Sequence, residues 1–304
     1  MVRSQSFEKS AGMKQGATSV VAALCSLFVV MTASEAHAQS AALANDPATL
    51  AASADLDGKP FLFSGQLLVE TARTADESQP ASYSGSYLGV LSAVHRKSGL
   101  TSTLRASYSQ EYSYDRDDGT NGGVENPSLS VAKAWRAGKS FESTLIDSVS
   151  LAVTGSAGLS KESRRRTLLA TTGISSTVSK RLERFNVRES IGYTRSFFNY
   201  DIRDNGVVNS PNTFRSITSI YYDVNDRLSI GGEFTFGYAV SFQGVGRTTE
   251  LSAFSADYAF TDTISGSLGV STERGTLEPD GTSNRVRFFA PEAAQYFVDL
   301  ILML

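Results

Sequence analysis

The chain has 304 residues, 41% of them hydrophobic, and a formal net charge of -3. That balance excludes a disordered chain and lacks the strongly basic character that nucleic-acid binding requires. The single cysteine, Cys25, falls in a segment expected to be removed, so disulfides, thiol catalysis and cysteine-held metals are excluded from the mature chain.

Residues 1–38 have the layout of a secretory signal peptide. Arg3, Lys9 and Lys14 give a positive start, Val20 to Met31 an apolar core, and Ala36-His37-Ala38 an A-x-A cleavage site. The core is shorter than the roughly 20 residues a spanning helix needs. Leu24 argues against lipidation of Cys25, because a lipoprotein signal places a small residue there. Residues 39–59 are alanine-rich, and Asp46-Pro47 suits the start of a short helix. This segment reads as a flexible lead-in or as a plug. Residues 60–304 form the main unit.

From Phe61 onward the chain is a series of strand-like segments. Phe61 to Glu70 sets Phe61, Phe63, Leu67 and Val69 against Ser64, Gln66 and Glu70. Tyr83 to His95 is apolar on both faces, which leaves its facing undecided. Ser102 to Tyr114 alternates cleanly, with Leu104, Tyr108 and Tyr112 against Arg105, Ser107 and Glu111. Ser128 to Trp135, Val149 to Leu159 and Leu168 to Val178 alternate aliphatic with small polar residues.

In Phe185 to Phe197 the apolar face carries Glu189 and Arg195. A charge at mid-bilayer costs roughly 2–4 kcal/mol, so a bulge or shifted register is expected there. Phe214 to Tyr222 leads through a tight turn into Leu228 to Phe242, the clearest stretch. Its Leu228, Ile230, Phe234, Phe236, Tyr238, Val240 and Phe242 share one face, and small or polar residues fill the other. Glu250 to Phe260, Ile264 to Thr272 and Tyr296 to Leu304 complete the series.

These segments are longer than the usual soluble strand of about 5–6 residues and match the 9–11 that cross a bilayer at a tilt. Short connections alternate with longer ones rich in Gly, Asp, Asn and Pro, the pattern of periplasmic turns and extracellular loops. Two connections depart from it: the turn near Gly138–Ile146 is long and the loop near Lys161–Arg166 is short. The expected fold is all-β: a transmembrane antiparallel up-and-down β-barrel of about 12 strands, with ten or fourteen still open. A secreted β-sandwich also alternates, but long strands with Tyr108, Trp135, Tyr193, Tyr222, Tyr238 and Tyr258 near their ends favour the barrel.

Tyr296, Val298, Leu300, Leu302 and Leu304 alternate to the last residue. This final strand resembles the assembly signal of bacterial outer-membrane proteins, although Leu304 stands where phenylalanine is common. The resemblance is to the porin-like architectural class, with no specific family matched. It implies location in the bacterial outer membrane and assembly by the outer-membrane insertion machinery.

Catalytic chemistry is sparse. His95 is the sole histidine outside the signal peptide, and Ser92 and Ser98 nearby make no hydrolase motif. Asp115, Asp117, Asp118 and Asn121 superficially suggest a calcium loop, but the glycine falls one place early and flanking helices are missing. No enzyme activity, metal or cofactor is expected. The lumen-facing set is mostly Ser, Thr, Gly and Ala. Its candidate charges are Glu70, Arg105, Glu111, Arg188, Arg215, Glu233, Asp257, Glu273 and Asp299. Mixed signs predict little ion selectivity or internal ion pairs. Lys161, Arg164, Arg165 and Arg166 form a basic loop suited to lipopolysaccharide phosphates. The expected function is a passive pore or narrow channel for small polar solutes. The alternatives are a non-conducting structural, assembly or export-associated barrel, and a lipid-modifying enzyme centred on His95.

Overall fold

A computed structural model describes residues 61–74, 82–95, 97–113, 121–138, 145–203, 206–275 and 294–304. The signal peptide, the segment 39–59, residues 115–120 of the calcium-loop candidate and most of the loop 274–292 lie outside them. Thirteen strands run in chain order: β1 Phe61–Thr74, β2 Ser82–His95, β3 Leu100–Ser113, β4 Asn121–Val124, β5 Ser128–Arg136, β6 Ser148–Ala157, β7 Leu168–Leu182, β8 Phe185–Phe198, β9 Asn212–Asp223, β10 Leu228–Val240, β11 Gly246–Ala259, β12 Ile264–Gly275 and β13 Ala294–Met303. Among the described residues one short helix, α1, covers Lys161–Arg165.

Each strand pairs antiparallel with its neighbours, and β1 pairs with both β2 and β13, so the sheet closes on itself. β4 and β5 both pair with β3 and are two pieces of one stave. Pro127 sits in the gap between them, where a residue without an N–H cannot continue the ladder. The result is a closed antiparallel barrel of twelve staves.

The polarity of the wall is inverted relative to a soluble protein. Phe63, Leu91, Ile191, Phe254 and Leu268 are exposed on the outside, while Gln66, Thr103, Thr235 and Ser267 are buried on the inside. Aromatics mark both edges of the outer belt. Phe185 and Tyr222 meet at 4.9 Å near the turn joining β7 to β8, and Tyr193 and Phe214 meet at 5.0 Å towards the other end. Phe61, Leu304 and the short turns share one end, which is the periplasmic end in the usual arrangement of this class.

Three sequence expectations are corrected or completed. First, β8 carries no bulge at Glu189. Its register with β9 runs unbroken from Phe185↔Tyr222 to Arg195↔Asn212, and the one shift with β7 falls at Leu168/Ala170. Glu189 stays on the outer face with two neighbours on β9 donating to it: Ser216 Oγ at 2.6 Å and Thr218 Oγ1 at 2.5 Å. Second, β2 takes its facing from β1. Leu88, Val90 and Val94 lie opposite Leu68, Gln66 and Leu62 and point inward. Third, the short loop at Lys161–Arg166 is α1, capped by Ser160, whose hydroxyl accepts from Ser163 N at 3.0 Å.

Large inward side chains need room, and glycine supplies it. A Cβ on Gly269 would stand 2.2 Å from Phe297 Cζ and 2.5 Å from the Phe254 carbonyl oxygen. The Phe297 ring therefore lies flat across the bare backbone of the neighbouring strand. Gly269→Ala is expected to cost about 1–3 kcal/mol through overpacking. Gly123→Ala, where nothing stands within 4 Å, is expected to be neutral. The urea midpoint of the folded, heat-modifiable form measures both.

Candidate functional site

The candidate site is the inner wall. Strand alternation puts Glu70 (β1), Arg105 (β3), Arg188 (β8), Arg215 (β9), Glu233 (β10), Asp257 (β11), Glu273 (β12) and Asp299 (β13) on the inward face, while the side chain of Glu111 lies outside the described ones. They are not scattered. Glu233, Asp257, Glu273, Asp299 and Glu70 occupy five consecutive staves, β10 through β13 and then β1. Arg105, Arg188 and Arg215, joined by Arg136 at the end of β5, occupy the remaining arc, with Arg215 on the strand beside Glu233. Arg247 on β11, towards the loop end, and Asp223 on β9, at the other end, are exceptions to this division.

Within the acidic arc, register brings Glu70, Asp299 and Asp257 into one row. Glu70 lies opposite Asp299, Asp299 opposite Ser267, and Ser267 opposite Asp257. Ser267 Oγ donates to Asp257, and Ser219 Oγ donates to Glu233 at 3.2 Å. Three of the five carboxylates see little water, Glu70 at 5% exposed, Asp299 at 2% and Glu233 at 9%, whereas Asp257 and Glu273 are half-buried. Beside them Leu68, Leu88, Val90 and Ile301 form a buried inward cluster. Sequence reasoning missed this cluster because it assigned apolar residues to the lipid side.

The other arc is built of hydroxyls. Ser148 and Ser179 meet at 2.6 Å, Ser156 and Thr171 at 2.7 Å, and Thr177 donates to Ser190 at 3.0 Å. All six are half-buried, as is Arg188 on the same wall. Cross-strand hydroxyl pairs of this kind satisfy one another and leave further lone pairs able to accept.

Both mouths are polar. At the extracellular end, connections that are distant in sequence are fastened together. Asn126 Oδ1 accepts from Ser160 N and Ser163 Oγ, both at 3.0 Å. Asn209, fully buried, donates to the carbonyls of Arg166 (3.0 Å) and Tyr200 (2.9 Å), and its carbonyl accepts from Phe242 N at 3.1 Å. Arg203 Nε donates to Asn209 at 3.0 Å. Burial, with the charges of Arg166 and Arg247 nearby and Glu162 in partial opposition, lowers Arg203 to about 10. Of the basic loop, Lys161, Arg164 and Arg165 are exposed, whereas Arg166 is drawn to Glu162 at 2.7 Å. At the periplasmic end a cavity of about 500 Å³ is lined by Arg181, Arg184, Asp223, Asp226, Arg227 and Asp257.

No family model matches the chain, and no curated protein matches it. Among solved structures it is similar to an outer-membrane channel from Pseudomonas putida F1, with a TM-score of 0.56 at 13% identity over 82% of this chain and 98% of that one. Looser likenesses are to the NanC porin (TM-score 0.48, 11% identity, 78% and 99% covered) and the KdgM porin (0.42, 7%, 78% and 98%). The fold is that of a porin-like outer-membrane barrel.

The remaining candidates can now be placed. His95 points outward at the periplasmic end of β2. Its Nδ1 meets Ser98 Oγ at 2.8 Å and its ring lies 5.0 Å from that of Phe61. Its partners are thus a turn serine and an aromatic at the membrane edge. No group of three His, Cys, Asp or Glu among the described residues is arranged to hold a metal. The functional groups missing from the sequence reading are Arg136, Arg203, Arg247 and the two asparagine hubs. Asn126 and Asn209 sit in polar loops, where nothing local distinguishes a hub from an ordinary turn residue.

One periplasmic contact carries a pH signature. Asp147 accepts from Lys180 Nζ at 2.8 Å and from Arg181 N at 2.7 Å, and these bonds hold its carboxyl below the usual range. A depressed carboxylate stabilises the fold above its unfolded pKa, near 3.9, and loses that contribution as pH falls through the folded value. The pair is partly exposed, so the effect is discounted to less than about 1 kcal/mol. Asp147→Asn is expected to melt below the parent protein at pH 7 and together with it near pH 2, as measured by thermal unfolding in detergent.

Proposed function

We propose that this chain is a non-enzymatic, passive outer-membrane pore for small polar solutes, with a weak preference for anions. The observation that carries it is the difference between the two arcs. The hydroxyl wall of β6 to β8, with Arg188, is half open to the lumen, whereas Glu70, Asp299 and Glu233 of the acidic arc are buried and only Asp257 and Glu273 are half-buried like Arg188. A solute therefore meets the hydroxyls and guanidinium of that wall but only two of the five carboxylates, and the arginines at the mouth act in the same sense. His95, on the outer face with a serine and a phenylalanine, gives no support to a lipid-modifying enzyme. A second reading, a non-conducting structural or export-associated barrel, is favoured by the apolar cluster on the inner face.

Single-channel recording of the refolded mature chain in a planar bilayer separates the two. The pore reading expects discrete steps that grow with salt and a reversal potential on the anion side. Arg188→Ser should move that potential towards cations without unfolding the barrel. A folded, heat-modifiable protein that gives no steps would favour the plugged barrel instead.

Two contacts complete the reading. Lys161, Arg164 and Arg165 meet lipopolysaccharide phosphates, and β13 is presented to the insertion machinery. Replacing the three exposed basic residues with alanine is expected to reduce lipopolysaccharide retained on purification several-fold, by phosphate assay, while Arg166→Ala should reduce it less.

A further inference from the structure

Glu189 is on the wrong side of the wall for a pore residue. It lies on the outer face of β8, four residues above Phe185 and four below Tyr193, midway between the two aromatic edges. Ser216 and Thr218 turn their hydroxyls towards it from β9, and Ser176 faces outward on β7 beside Ile191. Ionisable groups at membrane depth are held by protein partners, and those partners are normally inside the bundle or barrel. Two hydroxyls cover part of a carboxylate's four acceptor sites.

The same outer face carries the opposite charge. Lys133 lies outward on β5, exposed, with its ammonium 5.6 Å from the Trp135 ring centre. It stands three residues from the periplasmic end of its strand at Arg136, and Glu189 stands four from the start of its own at Phe185. The two charges are thus at nearly the same depth. They cannot serve each other within one barrel, because β5 and β8 are three strand spacings apart, about 14 Å around the wall.

We propose that the outer face of β5 to β8 is a two-fold self-association surface, in which Lys133 of one copy meets Glu189 of a second copy, and the reverse. A two-fold axis along the membrane normal keeps depths unchanged and brings residue i to j and j to i. With the axis between β6 and β7, the small Ser176 and the aliphatic Leu151 and Ile174 lie at the centre, and one ion pair forms on each flank. The second copy is the occupant that the charges select, since the patch contains both members of the pair. This inference is independent of whether the barrel conducts.

The test uses the full chain expressed in outer membranes in a Cys25→Ser background, which is free of other cysteines. Lys133→Cys/Glu189→Cys should give a covalent dimer on mild oxidation. Phe254→Cys/Leu300→Cys, on the far side of the barrel, should not. In lipid nanodiscs, Lys133→Glu or Glu189→Lys should each weaken the dimer at least tenfold, and the double reversal should restore it. Heat-modifiability checks folding, and if Glu189→Lys does not insert, Lys133→Glu and the cysteine pair decide. A parent chain that is monomeric in native lipid overturns the proposal. So does cross-linking no greater than at the far-side pair, single reversals that leave the dimer unchanged, or cross-linking to a different protein only.

Discussion

The structure depends on one constraint: hydrocarbon offers a backbone N–H or C=O no partner, so the chain must supply them all. An open sheet in lipid would leave two edges of unpaired groups, and only closure removes them. Here closure is the pairing of β1 with β13, finished by the reciprocal bonds of Gly65 and Leu304 at 3.1 and 2.8 Å. The rest follows. Strands are long because they must cross at a tilt. They alternate because one face meets lipid and the other the lumen. Short turns gather at one end because up-and-down order needs no crossover.

Much of this is legible in the sequence for a physical reason. Alternation is the direct imprint of two different solvents, and in β10 the segment LSIGGEFTFGYAV shows it without help. The pattern fails where the lumen is not aqueous. In β2, Leu88, Val90 and Val94 pack inward beside Leu68 and Ile301, so both faces are apolar and periodicity carries no sign. It misleads at Glu189, where the cost of a charge in lipid argued for a bulge. The partners that lower that cost, Ser216 and Thr218, come from β9 and are invisible to a reading confined to β8. Likewise α1 has five residues, too few for a helical period to register, and is fixed by its Ser160 cap and by Asn126, more than thirty positions away.

The candidate site was legible as a list of residues and illegible as an arrangement. Alternation places a charge on the inner face but does not say which arc it joins. That depends on stave order around a closed ring, and so on strand count and shear, which no single segment encodes. The bulk composition, with net charge -3, suggests a lumen near neutrality.

Geometry alters that inference, because a charge acts on a solute through the medium between them. A carboxylate packed under Leu68 and Ile301 with 2–5% exposure must first be reached, and its unpaired oxygens are directed into protein. Arg188 on the hydroxyl wall is only half-buried. Equal numbers of the two signs therefore need not cancel, because Glu70, Asp299 and Glu233 are buried while Arg188, Asp257 and Glu273 are half-buried. The same reasoning applies on the outside of the barrel. Glu189 and Lys133 nearly cancel in any count of charges, yet each sits in lipid without a full set of partners. In this protein the position of a charge relative to the wall, rather than the total, decides what it does.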